Sequence, residues 1–255
     1  MTSKIKNKTM NKPALKIDNL TQQYGKHRVL DNISFMVEAG EYVGLVGVNG
    51  AGKTTLIKSI LDFIAVKSGN IELFGLPHHE TASRTCLSFL PEKFLPPYYL
   101  TGKDFLFYMA ELNQVELDEA EIARIFSLLD LDAAALKKSV RQYSKGMAQK
   151  LGLASCFLSQ RKMLLFDEPM SGLDPKARAY LKNYLLELKQ QDLTLFFSTH
   201  LLVDVESVCD RIIILHEGHV RFNGTPEQCC NEFAMDSLEQ AYLKCIEADV
   251  SIQPS

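Results

Sequence analysis

The chain has 255 residues, of which 46% are hydrophobic, and a formal net charge of −3. It is long enough for one large domain or for one domain with an inserted lobe, and we expect the second. The only basic cluster is N-terminal (Lys4, Lys6, Lys8 and Lys12), so DNA and RNA are not expected partners. No apolar run approaches the ~20 residues of a membrane-spanning helix, and the N-terminus lacks the apolar segment of a signal peptide, so we expect a cytosolic chain.

The N-terminal part is predicted to be a tail followed by strands. Residues 1–12 are expected to form a flexible basic tail, in which both Met1 and Met10 fit as the start of translation. Alternating apolar and polar residues at 14–17 and 32–37 predict half-buried strands of an antiparallel sheet. The following segments predict a buried strand at 42–46, a helix over 55–61, a strand at 71–74 and a buried strand at 87–90.

Helical periodicity from about residue 101 to about 131 interrupts this β/α pattern, so we assign residues from about 92 to 160 to an inserted helical lobe. The pattern resumes with strands at 162–166, 193–197 and 211–215, helices over 175–191 and from about 226, and a hairpin turn at Glu217-Gly218. We therefore predict an α/β domain over 13–227 with a mainly parallel sheet and an N-terminal antiparallel β subdomain, followed by a helix and tail over 228–255. The six cysteines show no metal-ligand spacing and are expected to be free thiols.

A glycine-rich segment with the spacing GxxxxGK[ST] lies between a predicted strand and a predicted helix. Its glycines allow backbone N–H groups to point at phosphates, Lys53 can reach the β- and γ-phosphates, and the Thr54 hydroxyl can bind Mg²⁺. The N-terminus of the helix adds a partial positive charge. We therefore predict a nucleotide site formed by Gly47, Asn49, Gly50, Ala51, Gly52, Lys53, Thr54 and Thr55.

Polar residues follow two later strands at the point where each strand ends. Asp167 and Glu168 come directly after an apolar run, and His200 closes the next strand. Ligands of open α/β sheets lie at the carboxyl ends of the strands, so we expect these side chains to meet the glycine-rich loop. Asp167 is predicted to hold Mg²⁺, and Glu168 is predicted to polarise a water for attack on the γ-phosphate.

Taken in order, these residues resemble the nucleotide-binding subunit of ABC transporters from about residue 15 to about residue 227. Gly47 to Thr54 matches the Walker A motif, 164–168 matches Walker B, 143–147 looks like the LSGGQ signature, 171–174 resembles the D-loop, and His200 matches the switch histidine. The resemblance implies an ATP hydrolase with a P-loop NTPase core, with ATP and Mg²⁺ as its cofactors and with catalytic roles for Lys53, Glu168 and His200.

The resemblance also implies a second cassette. Ser144 is predicted to cap a helix whose N-terminus attracts anions, and in the family this segment faces the γ-phosphate of the opposing subunit. Ser144, Gly146 and Asp174 are therefore expected to contact ATP across a dimer, which the sequence leaves open as homomeric or heteromeric. Tyr24 stands where the family places an aromatic ring against adenine, and plain packing is the alternative.

Three departures from the family pattern stand out. The signature reads YSKGM, with Lys145 and Met147, a form that resembles bacterial exporter-type cassettes; Lys145 either adds charge near a phosphate or is solvated. Glu92 replaces the usual Gln of the Q-loop and is expected to bind Mg²⁺ or a water. The aromatic, proline-rich segment 94–100 either docks the membrane subunit or packs under the helical lobe.

The sequence therefore predicts the ATPase subunit of a membrane transporter, with an exporter expected. It would lie on the cytoplasmic face of the membrane and drive a separate polytopic membrane subunit. Two alternatives remain: a soluble ABC ATPase that acts on ribosomes or DNA, and a regulatory cassette that binds ATP without hydrolysis. The single cassette and acidic balance speak against the first, and the presence of Lys53, Asp167, Glu168 and His200 speaks against the second. The sequence does not reveal the transported substrate.

Overall fold

The structure is a computed structural model that describes residues 12–247. This part of the chain contains ten strands: β1 (Leu15–Tyr24), β2 (His27–Val37), β3 (Tyr42–Val46), β4 (Ser68–Leu73), β5 (Leu76–Pro77), β6 (Leu87–Leu90), β7 (Met163–Asp167), β8 (Thr194–Thr199), β9 (Arg211–His216) and β10 (His219–Gly224). Its α-helices are α1 (Lys53–Ile60), α2 (Thr81–Arg84), α3 (Gly102–Asn113), α4 (Glu119–Leu128), α5 (Lys145–Leu158), α6 (Pro175–Leu188), α7 (Leu202–Val208), α8 (Pro226–Glu232) and α9 (Leu238–Glu247). Residues 1–11 of the predicted tail, with both candidate start codons, and residues 248–255 lie outside the described part.

An antiparallel sheet forms one layer, in the order β2-β1-β4-β5. Ile17 of β1 lies opposite Phe35 on one side and Ile71 on the other, and all three are buried. Strands β1 and β2 extend well beyond the predicted segments 14–17 and 32–37. Register shifts between Ile17 and Gln23 break the strict apolar alternation on which that prediction depends.

A six-stranded sheet forms the second layer, in the order β10-β9-β3-β8-β7-β6, and its strands are parallel except for β10. Every residue of β3, β7 and β8 is buried, as expected of strands that are covered on both faces. The predicted hairpin turn is confirmed, because Glu217 and Gly218 both have positive φ values, of 48° and 76°, between β9 and β10.

The prediction that 87–90 forms a buried strand is only partly right. These residues form β6, but it lies at the edge of the sheet and only Leu90 is buried. An apolar run cannot distinguish a central strand from an edge strand that a helix half covers.

Helices α3, α4 and α5 lie between β6 and β7 in the chain. The single helical block predicted over 101–131 is divided in two, because Gln114 adopts a left-handed conformation that ends α3 and Asp118 caps α4. These helices pack on one another through Phe105, Ile125 and Leu151, which are all buried. Phe94 stacks edge-on against Phe105 at 5.7 Å and so joins the end of β6 to the helices. The structure thus has the predicted α/β fold class; the exact bounds of the inserted lobe stay a prediction.

Candidate functional site

Three adjacent parallel strands bring the predicted site residues to one edge of the sheet. Asp167, the last residue of β7, lies opposite Ser198 of β8, and Val46 of β3 lies opposite Thr199. The segments that follow these strands therefore leave the sheet side by side. The predicted convergence of the glycine-rich loop, the two carboxylates and His200 is confirmed by the contacts described below.

The glycine-rich loop requires glycine at two positions for different reasons. A Cβ on Gly47 would lie 2.4 Å from the carbonyl oxygen of Leu215, so the loop runs too close to β9 for any side chain. Gly52 has a φ of 109° at the start of α1, a conformation that L side chains rarely adopt. Helix α1 therefore begins directly behind the loop, and its N-terminus points into the site.

Lys53 is the first residue of α1, and only 6% of it is exposed. Its Nζ donates to the carbonyl oxygens of Gly47 at 2.7 Å and Val48 at 3.3 Å. It also lies 3.6 Å from Oε1 of Glu168. The two carbonyl groups of the loop therefore hold the Lys53 ammonium group beside the Glu168 carboxylate.

Asp167 is buried and bonded on both oxygens. Thr54 Oγ1 donates to its Oδ2 at 3.0 Å, and Ser198 Oγ donates to its Oδ1. Hydroxyl and carboxylate oxygens are ligands that Mg²⁺ prefers, and Mg²⁺ in phosphate sites takes only one or two protein oxygens. The Thr54–Asp167 pair therefore fits Mg²⁺.

Glu168 lies between Lys53 and His200. His200 Nδ1 is 2.9 Å from Glu168 Oε2, and the histidine side chain is half exposed. Glu168 Oε1 is buried and, within residues 12–247, receives no hydrogen bond. The Lys53 ammonium group faces this oxygen at 3.6 Å.

A cavity of about 270 Å³ opens at this edge. The predicted residues that line it are Asn49, Gly50, Gly52, Lys53, Thr54, Thr55, Glu92, Asp167 and Glu168. Seven predicted residues do not line it within residues 12–247: Tyr24, Gly47, Ala51, Ser144, Gly146, Asp174 and His200. His200 is connected to the cavity through its contact with Glu168, which does line it.

The cavity wall also includes His27, Val29 and Val48, which the sequence analysis missed. His27 begins β2 and lies directly opposite Tyr24 across the β1–β2 hairpin, so the two side chains share a face of the sheet. The sequence does carry one indication of this: His27 lies only three residues after Tyr24, which was predicted to contact the nucleotide. Ser198 was also missed: its Oγ accepts the Glu168 N–H at 3.0 Å while it donates to Asp167.

The residues predicted to act across a dimer lie apart from the cavity. Ser144 is exposed and caps α5, with its Oγ accepting the Met147 N–H at 3.2 Å, as predicted. Asp174 caps α6, and the bond from the Ala177 N–H lowers the pKa of its carboxyl group below the ordinary value. Lys145 is exposed, its methylene groups lie over Gly172, and it makes no ion pair within the described residues.

Residues 94–100 were predicted either to dock the membrane subunit or to pack under the helical lobe, and different residues of the segment fit each role. Phe94 packs under the helices against Phe105, as the packing alternative requires. Leu95, Tyr98 and Tyr99 instead stand out from the surface, with exposed fractions of 88%, 67% and 73%. An apolar group of this kind is typical of a contact surface.

A protein-family model described as ABC transporter matches residues 30–171, which is more than half of the chain. The chain belongs to the ABC transporter family. Its relatives include the ABC-type transporter ATP-binding protein EcsA of Bacillus subtilis, which is 34% identical over 241 residues, 92% of this chain and 97% of EcsA. The bacitracin transport ATP-binding protein BcrA of Enterococcus faecalis is 31% identical over 240 residues, 93% of this chain and 74% of BcrA.

Other relatives of this ABC family member are longer. An uncharacterized ABC transporter ATP-binding protein of Synechocystis, sll0415, is 40% identical over 200 residues, 77% of this chain, but this chain spans only 56% of its length.

Solved structures agree with the family assignment. A structure described as the ATP-binding subunit of an ABC transporter superposes with a TM-score of 0.83 at 31% identity, covering 91% of this chain and 99% of its own. The ATP-binding cassette MJ0796, solved as a dimer bound to ADP and Pi, superposes with a TM-score of 0.74 over 83% of this chain and 98% of its own; at 19% identity this likeness shows the fold alone. Among residues 12–247 of this ABC cassette, no helix is both long and apolar enough to cross a membrane.

Proposed function

We propose that this chain is the ATPase subunit of an ABC transporter, which binds and hydrolyses MgATP between two cassettes and drives transport, in the export direction, through a separate membrane subunit. The observation that carries the proposal is the meeting of the glycine-rich loop, Asp167, Glu168 and His200 at one edge of the sheet. A silent regulatory cassette would have no need of this complete set.

Each side chain of the cavity has a role that follows from its contacts. Lys53 leaves the carbonyl groups of its own loop and binds the β- and γ-phosphates. Mg²⁺, held by Thr54 and Asp167, would neutralise charge on the phosphates. Glu168 accepts a proton from the attacking water at Oε1, and His200 orients the carboxylate through Oε2.

The second half of the site comes from another cassette. The exposed N-terminus of α5, capped by Ser144, has backbone N–H groups and a dipole that favour an anion, but it lies outside the cavity of its own chain. A dimer in which this segment of each chain covers the loop of the other supplies the missing contacts to the γ-phosphate. Ser144, Gly146 and Asp174 belong to this half.

The membrane partner and the direction of transport rest on separate observations. Leu95, Tyr98 and Tyr99 are exposed and follow shortly after Glu92 in the chain, and Glu92 lines the cavity. A membrane subunit that docks there would sense the nucleotide through Glu92. The export direction rests on the YSKGM signature, and BcrA, a bacitracin transport protein, is one relative.

Purification from membranes with a tag on this chain tests the function. We expect a polytopic membrane protein in stoichiometric amount, and we expect Leu95→Asp to reduce its recovery at least about fivefold, because a charge is placed in an apolar contact. Leu243→Asp, at an exposed apolar position on α9, is the matched control and should leave recovery unchanged. Stoichiometric recovery of ribosomal or DNA-bound proteins instead would overturn the proposal.

Replacing Glu92 by Gln should leave ATP turnover within about threefold of wild type, because an amide oxygen and a carboxylate oxygen can both contact Mg²⁺ or a water. Steady-state phosphate release over a range of Mg²⁺ concentrations measures this. Complete loss of turnover in a folded Glu92→Gln protein would contradict a sensor role that either side chain can fill.

A further inference from the structure

Gln149 makes a buried contact with the segment that follows the catalytic carboxylate. It lies on the second turn of α5, and only 2% of it is exposed. Its Nε2 donates to the carbonyl oxygen of Pro169 at 3.1 Å, in a buried hydrogen bond. Pro169 comes directly after Glu168 and, lacking an N–H, has this carbonyl as its only backbone hydrogen-bonding group.

The turn at Glu168 needs such support. Glu168 has a φ of 50°, in the left-handed region that residues other than Gly, Asn and Asp seldom occupy. Its N–H donates to Ser198 and its carbonyl accepts the Ser171 N–H at 3.0 Å. The bond from Gln149 to Pro169 reaches this turn from α5.

Two neighbouring residues of α5 approach the same loop. A Cβ on Gly146 would lie 3.0 Å from the carbonyl oxygen of Gly172, so helix and loop backbones run close together there. Lys150 Nζ lies 3.9 Å from the Asp174 carboxylate. The first two turns of α5 therefore lie directly on residues 169–174.

We propose that Gln149 is a positioning residue that links the two half-sites of the cassette. The N-terminus of α5 contacts the ATP held by the opposing cassette, and Gln149 transmits the position of that helix to the Glu168 turn of its own site. This inference rests on the proposed function. It assigns a role to a residue outside the cavity, which touches neither nucleotide nor Glu168 directly.

The test compares Gln149→Met with wild type. Methionine keeps the length and the unbranched shape but has no donor for the Pro169 carbonyl. We expect kcat to fall at least about tenfold, since small displacements of a catalytic group are costly, while KM and the Kd for ATP stay within about twofold. Gln149→Asn keeps the amide but is one methylene too short, and it should show the same loss. Gln190→Met, at an exposed position, is the control and should behave as wild type.

Hydrogen exchange at the Glu168 and Ser171 amides gives a second readout that needs no activity. Both amides should exchange faster in Gln149→Met and not in Gln190→Met. Unchanged exchange, or wild-type kcat, overturns the inference; a fall in ATP affinity parallel to the fall in kcat also overturns it, because it indicates general packing. Absence of ATP hydrolysis by the wild-type protein overturns the proposed function instead, and the exchange comparison still decides the role of Gln149.

Discussion

Replacing Glu168 by Gln should reduce ATP turnover by about 10²- to 10⁴-fold, the usual contribution of a general base, while ATP binding remains. The amide keeps the shape of the carboxyl group but cannot take a proton from water. Because the variant keeps Lys53 and Thr54, which we expect to bind the phosphates and Mg²⁺, it should accumulate as an ATP-bound dimer. Phosphate release and size-exclusion chromatography with ATP measure the two effects.

The matched control is Glu206→Gln, which changes an exposed carboxylate on α7, the helix that follows His200. It should hydrolyse ATP at the wild-type rate and remain in the wild-type dimer equilibrium. Equal turnover by Glu168→Gln and wild type would eliminate Glu168 as the catalytic base.

The second large effect is expected at Lys53. Lys53→Met should weaken ATP binding by about 10- to 100-fold, which corresponds to the loss of hydrogen bonds from a charged donor, and turnover should fall further. The free energy of unfolding should also decrease, because methionine fills the space but leaves the nearly buried Glu168 carboxylate without the ammonium group 3.6 Å away. Titration with a fluorescent nucleotide and urea unfolding separate the two quantities.

Lys58→Met on the exposed face of the same helix is the control, and it should bind ATP as wild type does. Wild-type affinity in Lys53→Met would show that the ammonium group does not reach the phosphates. An unchanged free energy of unfolding would show that the Lys53–Glu168 pair does not stabilise the loop.

Much of the cavity could be predicted from the sequence because its chemistry is local. Lys53 and Thr54 are adjacent in one motif, and Asp167 and Glu168 directly follow an apolar run. Parallel strands share a carboxyl edge, which then places His200 beside them. These inferences need only the order of elements along the chain.

Other parts of the site depend on contacts between distant segments. His27 reaches the cavity only because the β1–β2 hairpin docks against the glycine-rich loop, and Gln149 meets Pro169 only through the packing of α5. Ser198 could have been found from the register of β7 and β8, which periodicity does not give. Tyr24 has a suitable ring but is half exposed outside the cavity wall, so its contact with adenine stays a prediction.

The left-handed backbone at Glu168 is strained, although the proposed ATP hydrolysis needs a carboxylate at this position. Glycine would adopt this φ of 50° without steric strain, whereas an L side chain there costs roughly 1–2 kcal/mol. Glycine would relieve this strain but would also remove the carboxylate that pairs with Lys53 and His200 and that the proposed hydrolysis requires. A cassette of this family without a catalytic task would lose the reason to keep a strained residue here, whereas a hydrolysing cassette has to retain it.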